Sequence, residues 1–449
     1  MGRLFGTDGV RGVANSELTP ELAFKLGKAG AYVLSKDKER PVVIIGKDTR
    51  LSGDMLEDAL SAGILAVGGN VIKVGVLPTP AVAYLVKAYR ADAGVVISAS
   101  HNPFEYNGIK FFNGEGFKLD DSIENEIEDI ILRDIDVNSH ITGDKLGRCL
   151  DADDDAEKKY VDFLKSTIDT DIRGTKLVLD CANGAAYRVA ERVYSELGAD
   201  ITVIGNEPNG VNINDGCGST HPEKLQKEVL RQGAFLGLAY DGDADRLIAV
   251  DEKGRIIDGD KLICICAKMM KNRDELPGGI VTATVMSNIG FHKYIEGMGG
   301  KVEVTGVGDR YVLESMLKTG SMIGGEQSGH MIFLNHATTG DGTLSSLQFL
   351  QAVLLSGKMP SELSDEVEIF PQVLRNAKVK NENKAVFMED SEVKEAVQRV
   401  EKEMEGLGRL LIRPSGTEPL VRVMLEGQDV QHITELAEKL ADMLTRKFG

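Results

Sequence analysis

Short apolar, β-branched runs alternate with helical segments along most of the chain. The strand-length runs are residues 41–45, 176–180 and 279–284. Each precedes a segment with helical periodicity. The predicted helices begin near residue 53 and cover residues 185–197 and 288–298. Strands that alternate with helices in this way predict α/β domains built on mixed, largely parallel sheets.

The alternation also indicates an internal repeat. Three times, a strand, a helix and a strand lead into a polar loop that is followed by another strand. The loops are residues 98–103, 241–246 and 325–330. Their side chains differ, so the repeat predicts three related α/β domains that carry three different chemistries.

After residue 370 the pattern changes to short strands around Arg413, an acidic helix near residues 391–405 and a last helix from about Val430. This pattern is typical of a smaller α+β domain. The charged stretch 151–155 and the turn at 251–254 mark further boundaries. We therefore predict domains at residues 1–153, 154–253, 254–369 and 370–449.

Composition excludes several classes of function. The 449 residues include 52 Lys and Arg against 70 Asp and Glu, a net charge of −18 that repels nucleic acid. The apolar runs are too short to span a membrane, and the first residues lack the apolar segment that secretion needs. We expect a cytoplasmic protein whose five cysteines are buried, reduced thiols.

Three carboxylates alternate with small residues in the second polar loop: Asp241, Asp243 and Asp245. This spacing lets them converge on one hard cation that offsets their mutual repulsion, most simply Mg²⁺. The alternative is a solvated acidic turn. Flanking apolar strands and the adjacent Arg246 favour the metal.

In the first polar loop, Ser100 stands beside His101 at the end of a buried strand, where α/β sheets place their ligands. A hydroxyl next to an imidazole suggests a nucleophile, although a plain Ser/Asn/Pro turn fits the same residues. Lys110 follows ten residues later and would return to the same place across a hairpin.

The loop at residues 413–419 combines Arg413 with the hydroxyls of Ser415 and Thr417 and the bare backbone of Gly416. Such a set suits a phosphate, and a plain surface turn is the alternative. The third polar loop offers a carboxylate, a hydroxyl and an imidazole, a set suited to sugars. Two basic segments, residues 3–12 and 46–50, either face a phosphate or cap the first domain.

Taken together, a carboxylate triad, a loop serine, a polar sugar-like loop and a phosphate cradle predict metal-assisted phosphoryl transfer on a phosphosugar.

These motifs resemble those of the α-D-phosphohexomutase superfamily along the whole chain. They are F-G-T-D-G-V-R-G (residues 5–12), S-A-S-H-N-P (98–103), D-G-D-A-D-R (241–246), G-E-Q-S-G-H (325–330) and R-P-S-G-T-E-P (413–419), in the family's order. The resemblance implies three related α/β domains and a smaller fourth domain around a central cleft.

The resemblance also implies roles. Ser100 would be phosphorylated, and the three aspartates would hold one Mg²⁺ per subunit together with the Ser100 phosphate. Groups that move protons or offset charge would be His101, Lys110, Arg11 and Arg246. Sugar-binding residues would be Glu326 and Ser328, with His330 nearby. The non-reacting phosphate would bind to Arg413, Ser415, Gly416 and Thr417.

The implied reaction interconverts a sugar 6-phosphate and 1-phosphate through a hexosamine 1,6-bisphosphate. Gln327 and the S-A-S form of the serine loop resemble the branch that acts on glucosamine phosphates, with mannose and glucose phosphates as the alternative. A metal-dependent phosphatase and an inactive phosphosugar-binding protein are the rival functions. By resemblance, we also expect a homodimer through domain one.

Overall fold

The computed structural model describes residues 4–6, 8–34, 38–137, 141–415 and 418–449. These residues form two compact units. One comprises residues 1–286 and 298–366, and the other comprises residues 287–297 and 367–449.

The first sheet has six strands in the order β1-β5-β4-β2-β3-β6. Its strands are β1 (Val10–Val13), β2 (Val42–Lys47), β3 (Asn70–Val76), β4 (Ala93–Ile97), β5 (Tyr106–Asn113) and β6 (Cys149–Asp151). Its helices are α1 (Pro20–Leu34), α2 (Gly53–Ala66), α3 (Thr79–Ala88) and α4 (Asp121–Leu132). Every residue of β4 is buried, as the apolar run predicts for a central strand.

The second sheet has five strands in the order β11-β10-β9-β7-β8. Its strands are β7 (Lys176–Asp180), β8 (Asp200–Ile204), β9 (Leu236–Tyr240), β10 (Leu247–Asp251) and β11 (Ile256–Ile257). Its helices are α5 (Asp153–Ser166), α6 (Ala186–Glu196) and α7 (Glu223–Gln232). Because β11 pairs with β10, residues 256 and 257 continue this sheet beyond residue 253.

The third sheet has four strands in the order β13-β12-β14-β15. Its strands are β12 (Ile280–Thr284), β13 (Lys301–Thr305), β14 (Ile323–Gly325) and β15 (Met331–Phe333). The helices of this part of the chain are α8 (Gly259–Asn272), α9 (Ile289–Gly297), α10 (Asp309–Thr319), α11 (Gly342–Ser356) and α12 (Pro360–Asp365). Helix α11 is almost wholly buried, and its buried residues include polar ones, among them Ser345, Ser346 and Gln348.

The C-terminal sheet has three antiparallel strands in the order β16-β18-β17. They are β16 (Gln372–Lys378), β17 (Gly408–Pro414) and β18 (Leu420–Gly427), covered by α13 (Ser391–Met404) and α14 (Val430–Phe448). In the part of the chain that the structure describes, short 3₁₀ turns lie at Gly143–Lys145, Pro277–Gly279, Asn381–Asn383 and Phe387–Glu389.

Helix α9 belongs to the C-terminal unit although it follows a strand of the third sheet. The buried carboxylate of Glu426 accepts a hydrogen bond from the backbone of Ile289 at 2.9 Å and pairs with Arg409 at 2.7 Å. Asn288 donates to the carbonyl of Phe370 at 2.9 Å. These contacts fix the start of α9 to the residues around the C-terminal sheet.

The predicted repeat is confirmed, and each repeat contains one more strand and one more helix than the sequence predicted. The orders β5-β4-β2-β3, β10-β9-β7-β8 and β15-β14-β12-β13 are the same, and each polar loop joins the last two antiparallel strands of its repeat. The sequence prediction omitted one strand and one helix per repeat, namely β3, β8 and β13 with the helices that follow them. These strands mix polar and apolar residues and are only partly buried, so no apolar run marks them.

The fold class is confirmed: three mixed α/β sheets and a smaller C-terminal domain. The four residue ranges predicted for the domains and the central cleft stay predictions. Within the described residues, no helix combines the length and the hydropathy that a membrane span requires. All five cysteines are free, and Cys149 is exposed rather than buried because it lies on the edge strand β6.

Candidate active site

Ser100 lies directly after β4, in the loop that turns into β5. Its backbone is in the left-handed region at φ = 52°, which is unusual for a residue with a side chain. Its hydroxyl donates to Oδ2 of Asp241 at 2.7 Å and lies 3.3 Å from Nδ1 of His101. The serine of the first repeat thus meets the aspartates of the second.

A buried polar network holds this loop from below. The amide of Ser100 donates to Oγ of Ser98 at 3.0 Å, and Ser98 in turn donates to Oδ2 of Asp48 at 2.5 Å. Asp48 also accepts from Nε of Arg50 at 2.8 Å. The sequence singled out residues 46–50 only as a basic segment, and the structure shows a buried ion pair that supports the serine loop.

The three aspartates of the second polar loop are buried together. Asp241, Asp243 and Asp245 offer carboxylate oxygens that all lie within 4.8 Å of one another. Oδ1 of Asp243 and Oδ1 of Asp245 are buried with no hydrogen-bond partner among the described residues. Unsatisfied buried carboxylate oxygens are costly, and a divalent cation would satisfy them. The residues present therefore fit a Mg²⁺ site.

The electrostatics of the triad support the same conclusion. Burial and the like charges of Asp245 and Asp243 raise the pKa of Asp241 well above its usual range. Burial would also raise the pKa of Asp243, but the adjacent Lys110 outweighs it and lowers that pKa. A bound cation would favour the ionised form of all three carboxylates.

Lys110 lies on β5 opposite Val96 of β4, so the predicted hairpin returns it to the serine loop. Its ammonium is 2.8 Å from Oδ2 of Asp243 and 2.9 Å from Oδ2 of Asp8. Burial alone would lower the pKa of Lys110, but these carboxylates raise it. Lys110 is therefore a fixed positive charge beside the aspartate triad.

Two further cations border this group. Arg11, on β1, pairs with Asp8, and Nε of Arg246 lies 3.8 Å from Oδ1 of Asp245. Burial, followed by the positive charges of Arg246 and Arg11, lowers the pKa of His101. His101 is consequently a neutral imidazole at pH 7, able to accept a proton near Ser100.

The third polar loop packs on the second. The backbone of Leu247 donates to the carbonyl of Gly329 at 3.0 Å, and Gly329 has φ = 90° where a Cβ would collide with Leu247. Glu326 accepts from the amide of Gly308 at 3.1 Å, while Ser328 is exposed. Glu326 and Ser328 thus lie on a loop fixed against the metal-ligand loop.

His330 lies deeper than its neighbours in this loop. Its Nε2 accepts from the amide of Gly340 at 3.1 Å, which leaves the proton on Nδ1, 3.4 Å from Oδ2 of Asp245. The sequence grouped His330 with the sugar-binding residues. The structure places its imidazole against the aspartate triad, where it orients a carboxylate that could bind the metal.

Charged residues from all three sheets link these groups. Lys118 contacts Oδ1 of Asp8 at 2.6 Å and pairs with Asp309, whose Oδ2 lies 3.8 Å from Nε2 of His330. Starting at Asp243, opposite charges therefore alternate through Lys110, Asp8 and Lys118 to Asp309. Sequence reasoning missed Asp309 and Lys118, because neither lies in one of the recognised motifs.

Thr79 is a second residue without a sequence signal. It begins α3, and its hydroxyl donates to Oδ2 of Asp243 at 2.7 Å while its amide donates to the Asp243 carbonyl at 3.0 Å. Asp8 did have a signal, since it stands inside the motif at residues 5–12.

The C-terminal unit carries the phosphate loop. Arg413 of β17 pairs across the ladder with Arg422 of β18. Burial and the charge of Arg422 lower the pKa of Arg413. Ser415 is buried, and its carbonyl accepts from Lys384 at 2.8 Å. Gly416 and Thr417, predicted to grip the phosphate, lie outside the described residues.

Models of protein families match the chain in four segments. They describe the α/β/α domains I, II and III and the C-terminal domain of phosphoglucomutase/phosphomannomutase, at residues 2–137, 158–254, 258–370 and 374–443. The chain belongs to the phosphoglucomutase/phosphomannomutase family. The resemblance that the sequence motifs indicated is thus confirmed.

Relatives over the full length carry a more specific name. The chain is 55% identical over 447 residues to the phosphoglucosamine mutase of Clostridium acetobutylicum. It is 56% identical over 449 residues to the phosphoglucosamine mutase of Caldanaerobacter subterraneus subsp. tengcongensis. Both alignments cover 100% of each chain.

Solved structures share the fold at low sequence identity. A phosphoglucomutase/phosphomannomutase family protein from Burkholderia thailandensis matches with a TM-score of 0.83 and 24% identity, over 99% of this chain and 98% of the other. The N-acetylphosphoglucosamine mutase of Aspergillus fumigatus, in complex with GlcNAc-6P and magnesium, matches with a TM-score of 0.68 and 17% identity, over 99% and 96%.

Proposed function

We propose that this chain interconverts glucosamine 6-phosphate and glucosamine 1-phosphate. The observation that carries the proposal is the 2.7 Å hydrogen bond between the Ser100 hydroxyl and Asp241, one of three buried carboxylates fit for a divalent cation. Full-length relatives at 55% identity that are named phosphoglucosamine mutase support the choice of substrate.

The reaction proceeds as two phosphoryl transfers. The bond from phosphorus to Oγ of phospho-Ser100 breaks, and a bond forms from phosphorus to the free C1 or C6 hydroxyl oxygen of the substrate. The proton of that hydroxyl passes to a protein group, Oγ of Ser100 takes up a proton as the phosphoryl group leaves, and the product is glucosamine 1,6-bisphosphate. After the bisphosphate turns around, its other phosphoryl group returns to Ser100, which leaves the isomeric monophosphate.

One Mg²⁺ per subunit, held by Asp241, Asp243, Asp245 and the Ser100 phosphate, would offset the negative charge of the transferring group. The unsatisfied oxygens of Asp243 and Asp245 support this assignment. The magnesium complex of the structurally similar Aspergillus enzyme supports it as well.

Four side chains complete the site for transfer. His101 is neutral and within reach of Ser100 Oγ, so it is the candidate for proton transfer. Lys110 remains protonated between two carboxylates and offsets charge. Arg11 and Arg246 border the same carboxylates and add positive charge.

Binding of the sugar and of the non-reacting phosphate falls to two other loops. We assign the sugar hydroxyls to Glu326 and Ser328, and we propose that His330 acts beside them through Asp245. The non-reacting phosphate is assigned to Arg413, Ser415, Gly416 and Thr417. A single grip that accepts either phosphate of the bisphosphate permits the turn between the two transfers.

The proposal is tested with purified protein, Mg²⁺, a trace of hexose 1,6-bisphosphate and glucosamine 6-phosphate, with glucosamine 1-phosphate followed by ³¹P NMR. Ser100→Ala serves as the control, and glucose and mannose phosphates run in parallel. We expect preferred conversion of the glucosamine substrate and a loss of at least about 10³-fold in Ser100→Ala.

Each other outcome selects a different function. Preference for glucose or mannose phosphate would keep the mutase and replace the substrate. Release of inorganic phosphate without isomerisation would indicate the phosphatase. Binding without any turnover would indicate a phosphosugar-binding protein.

We further propose a homodimer through domain one. A groove of about 520 Å³ lies between α1 and α4, lined by apolar residues such as Ile130, Ile131 and Ile135. Phe24 borders this groove and is 37% exposed. Sedimentation velocity of the wild type and Phe24→Glu tests the proposal, since a charge on this face would separate a dimer into monomers. The cytoplasmic location stays a prediction of the sequence.

A further inference from the structure

The carbonyl oxygen of Ser100 accepts hydrogen bonds from two side chains on different repeats. Nη2 of Arg50, from the first repeat, is 2.9 Å away, and Nδ2 of Asn214, from the second, is 3.0 Å away. The same two nitrogens also reach the carbonyl of Asn102, at 2.8 Å and 3.2 Å. The backbone on both sides of His101 is therefore held by two donors.

Asn214 is itself rigidly placed. It is 7% exposed and has φ = 60°, and its backbone N–H donates to the carbonyl of Ala182 at 2.8 Å. Its Oδ1 is buried with no hydrogen-bond partner among the described residues. The NH₂ group of the side chain thus donates to two carbonyls of the serine loop, while the side-chain oxygen lacks a partner. A buried oxygen without a partner lowers the stability of the protein, so this orientation favours the serine loop over the hydrogen bonding of Asn214 itself.

The space around this contact is closed. A Cβ on Gly242, in the metal-ligand loop, would lie 2.5 Å from the Ser100 carbonyl oxygen and 2.7 Å from Nδ2 of Asn214. The serine loop, Asn214 and the loop of the aspartates therefore meet at one point. A shift of the Ser100 carbonyl would have to move one of the other two.

Arg50 is equally constrained. Its side chain is 0% exposed, and Oδ2 of Asp48 fixes its Nε at 2.8 Å. Asp48 also accepts from Ser98, whose hydroxyl receives the amide of Ser100. The amide of Ser100 is thus bound to Ser98 of the same loop, and its carbonyl is bound to two side chains from outside that loop.

We propose that Asn214, together with Arg50, clamps the backbone of Ser100 in its left-handed conformation and so positions the nucleophile. The inference rests on the proposed function. A serine relaxes from φ = 52° to negative φ unless its surroundings prevent it, and that rotation would carry Oγ away from Asp241. Asn214 is a positioning residue, since it acts on the reacting oxygen through the backbone.

Two variants distinguish the role of the Asn214 side-chain amide from that of its positive φ. Asn214→Asp keeps the shape and tolerates positive φ, but it places a second oxygen against the two carbonyls. Asn214→Gly adopts the same φ without strain and simply removes the donor. Asn212→Asp is the matched control, because Asn212 lies in the same loop and donates to the carbonyl of Glu207 instead.

We expect kcat on glucosamine 6-phosphate to fall about 10- to 100-fold in both Asn214 variants, with KM within about twofold of wild type. Phosphorylation of Ser100 by glucosamine 1,6-bisphosphate, followed by intact mass, should slow by a similar factor. The control should match wild type in both assays. In the double variant of Arg50→Lys and Asn214→Gly, kcat should fall by less than the product of the factors measured for the two single variants, because both donors act on one carbonyl.

Unchanged kcat and unchanged phosphorylation in Asn214→Gly would overturn the clamp. A higher KM at constant kcat would also overturn it, since that pattern assigns Asn214 to substrate binding. A lowered melting temperature would overturn the clamp as well, if kcat measured well below that temperature is normal. That result would assign Asn214 a structural role. If wild-type protein converts no glucosamine phosphate, the proposed function fails, and the phosphorylation assay still decides on the clamp.

Discussion

The two sites that we propose to bind phosphate differ in how their charged side chains are paired. Around Ser100, Lys110 is 2% exposed and lies between the carboxylates of Asp243 and Asp8. In the C-terminal unit, Arg413 faces the like charge of Arg422, and the contact of Arg422 with Glu418, at 3.3 Å, is partly exposed. Lys110 is thus neutralised by buried carboxylates, whereas Arg413 and Arg422 place like charges side by side, which we propose serve a phosphate ligand.

The difference follows from what the two sites do in the proposed reaction. The nucleophile and its cation site must keep one geometry through two transfers, so each group is fixed by buried partners. The phosphate loop must bind either end of a bisphosphate and release it between the transfers. Excess positive charge near the surface provides attraction without rigid pairing.

Asp245→Asn is the variant of the site around Ser100 from which we expect the largest loss of activity. The change removes a charged oxygen from the triad and replaces it with an amide, which also disturbs the contact of Asp245 with His330. We expect kcat to fall about 10³-fold and Mn²⁺ affinity, measured by calorimetry, to fall at least about tenfold. Asp200→Asn, an exposed position on β8, is the control. Undiminished Mn²⁺ binding would contradict the assignment of the triad.

Lys110→Gln tests the neutralisation itself. It removes the cation that pairs with the buried carboxylate of Asp243, while Asp8 keeps its contacts with Arg11 and Lys118, so we expect about a 10²-fold loss of kcat together with a lower melting temperature. Lys87→Gln changes an exposed lysine and serves as the control. If Lys110→Gln changed only KM, the lysine would belong with the substrate-binding groups, and the comparison between the two sites would fail.

Arg413→Lys tests the proposed role of the phosphate loop in the C-terminal unit. A lysine keeps the charge and loses the forked geometry of the guanidinium, so the grip on phosphate weakens. We expect KM to rise about 10- to 100-fold while kcat changes less. A steady-state kinetic series at constant ionic strength measures both constants. A fall of kcat with constant KM would place Arg413 with the groups that act in the transfer step.

The sequence was most informative where chemistry is concentrated in one loop. Asp241, Asp243 and Asp245 were predicted as a metal site because their spacing alone brings three oxygens together, and the structure buries all three. The three-domain repeat followed from its apolar runs. The strands it omitted, such as β13, are only partly buried and mix polar with apolar residues, so they carry no such run.

Some residues that act across repeats could not be predicted from the sequence. Asn214 and Thr79 reach the serine and metal-ligand loops from elsewhere in the chain, and nothing in their local sequence indicates it. His330 was placed with the sugar because its loop is polar, yet its hydrogen bonds turn it toward Asp245. Such contacts depend on how the sheets pack, which no local pattern encodes.

Asp341 lies at the start of α11, and the effect expected of it is the smallest, a change in the pH dependence of stability. It caps that helix, accepts from the hydroxyl of Tyr160 at 2.6 Å, and lies on the loop whose Gly340 contacts His330. Burial raises the pKa of Asp341 from its ordinary value of 3.8 to about 6. The folded protein therefore binds this proton more tightly than the unfolded chain does.

The sign of the pH dependence follows from that shift. The stabilisation is complete below about pH 4 and is lost as the pH rises through 6, up to about 3 kcal/mol for this group. Asp341→Asn mimics the protonated acid and keeps the helix cap. Its melting temperature relative to wild type, measured in EDTA, should therefore be several degrees more favourable at pH 7 than at pH 4. An offset that is equal at both pH values would show that burial does not raise the pKa of Asp341.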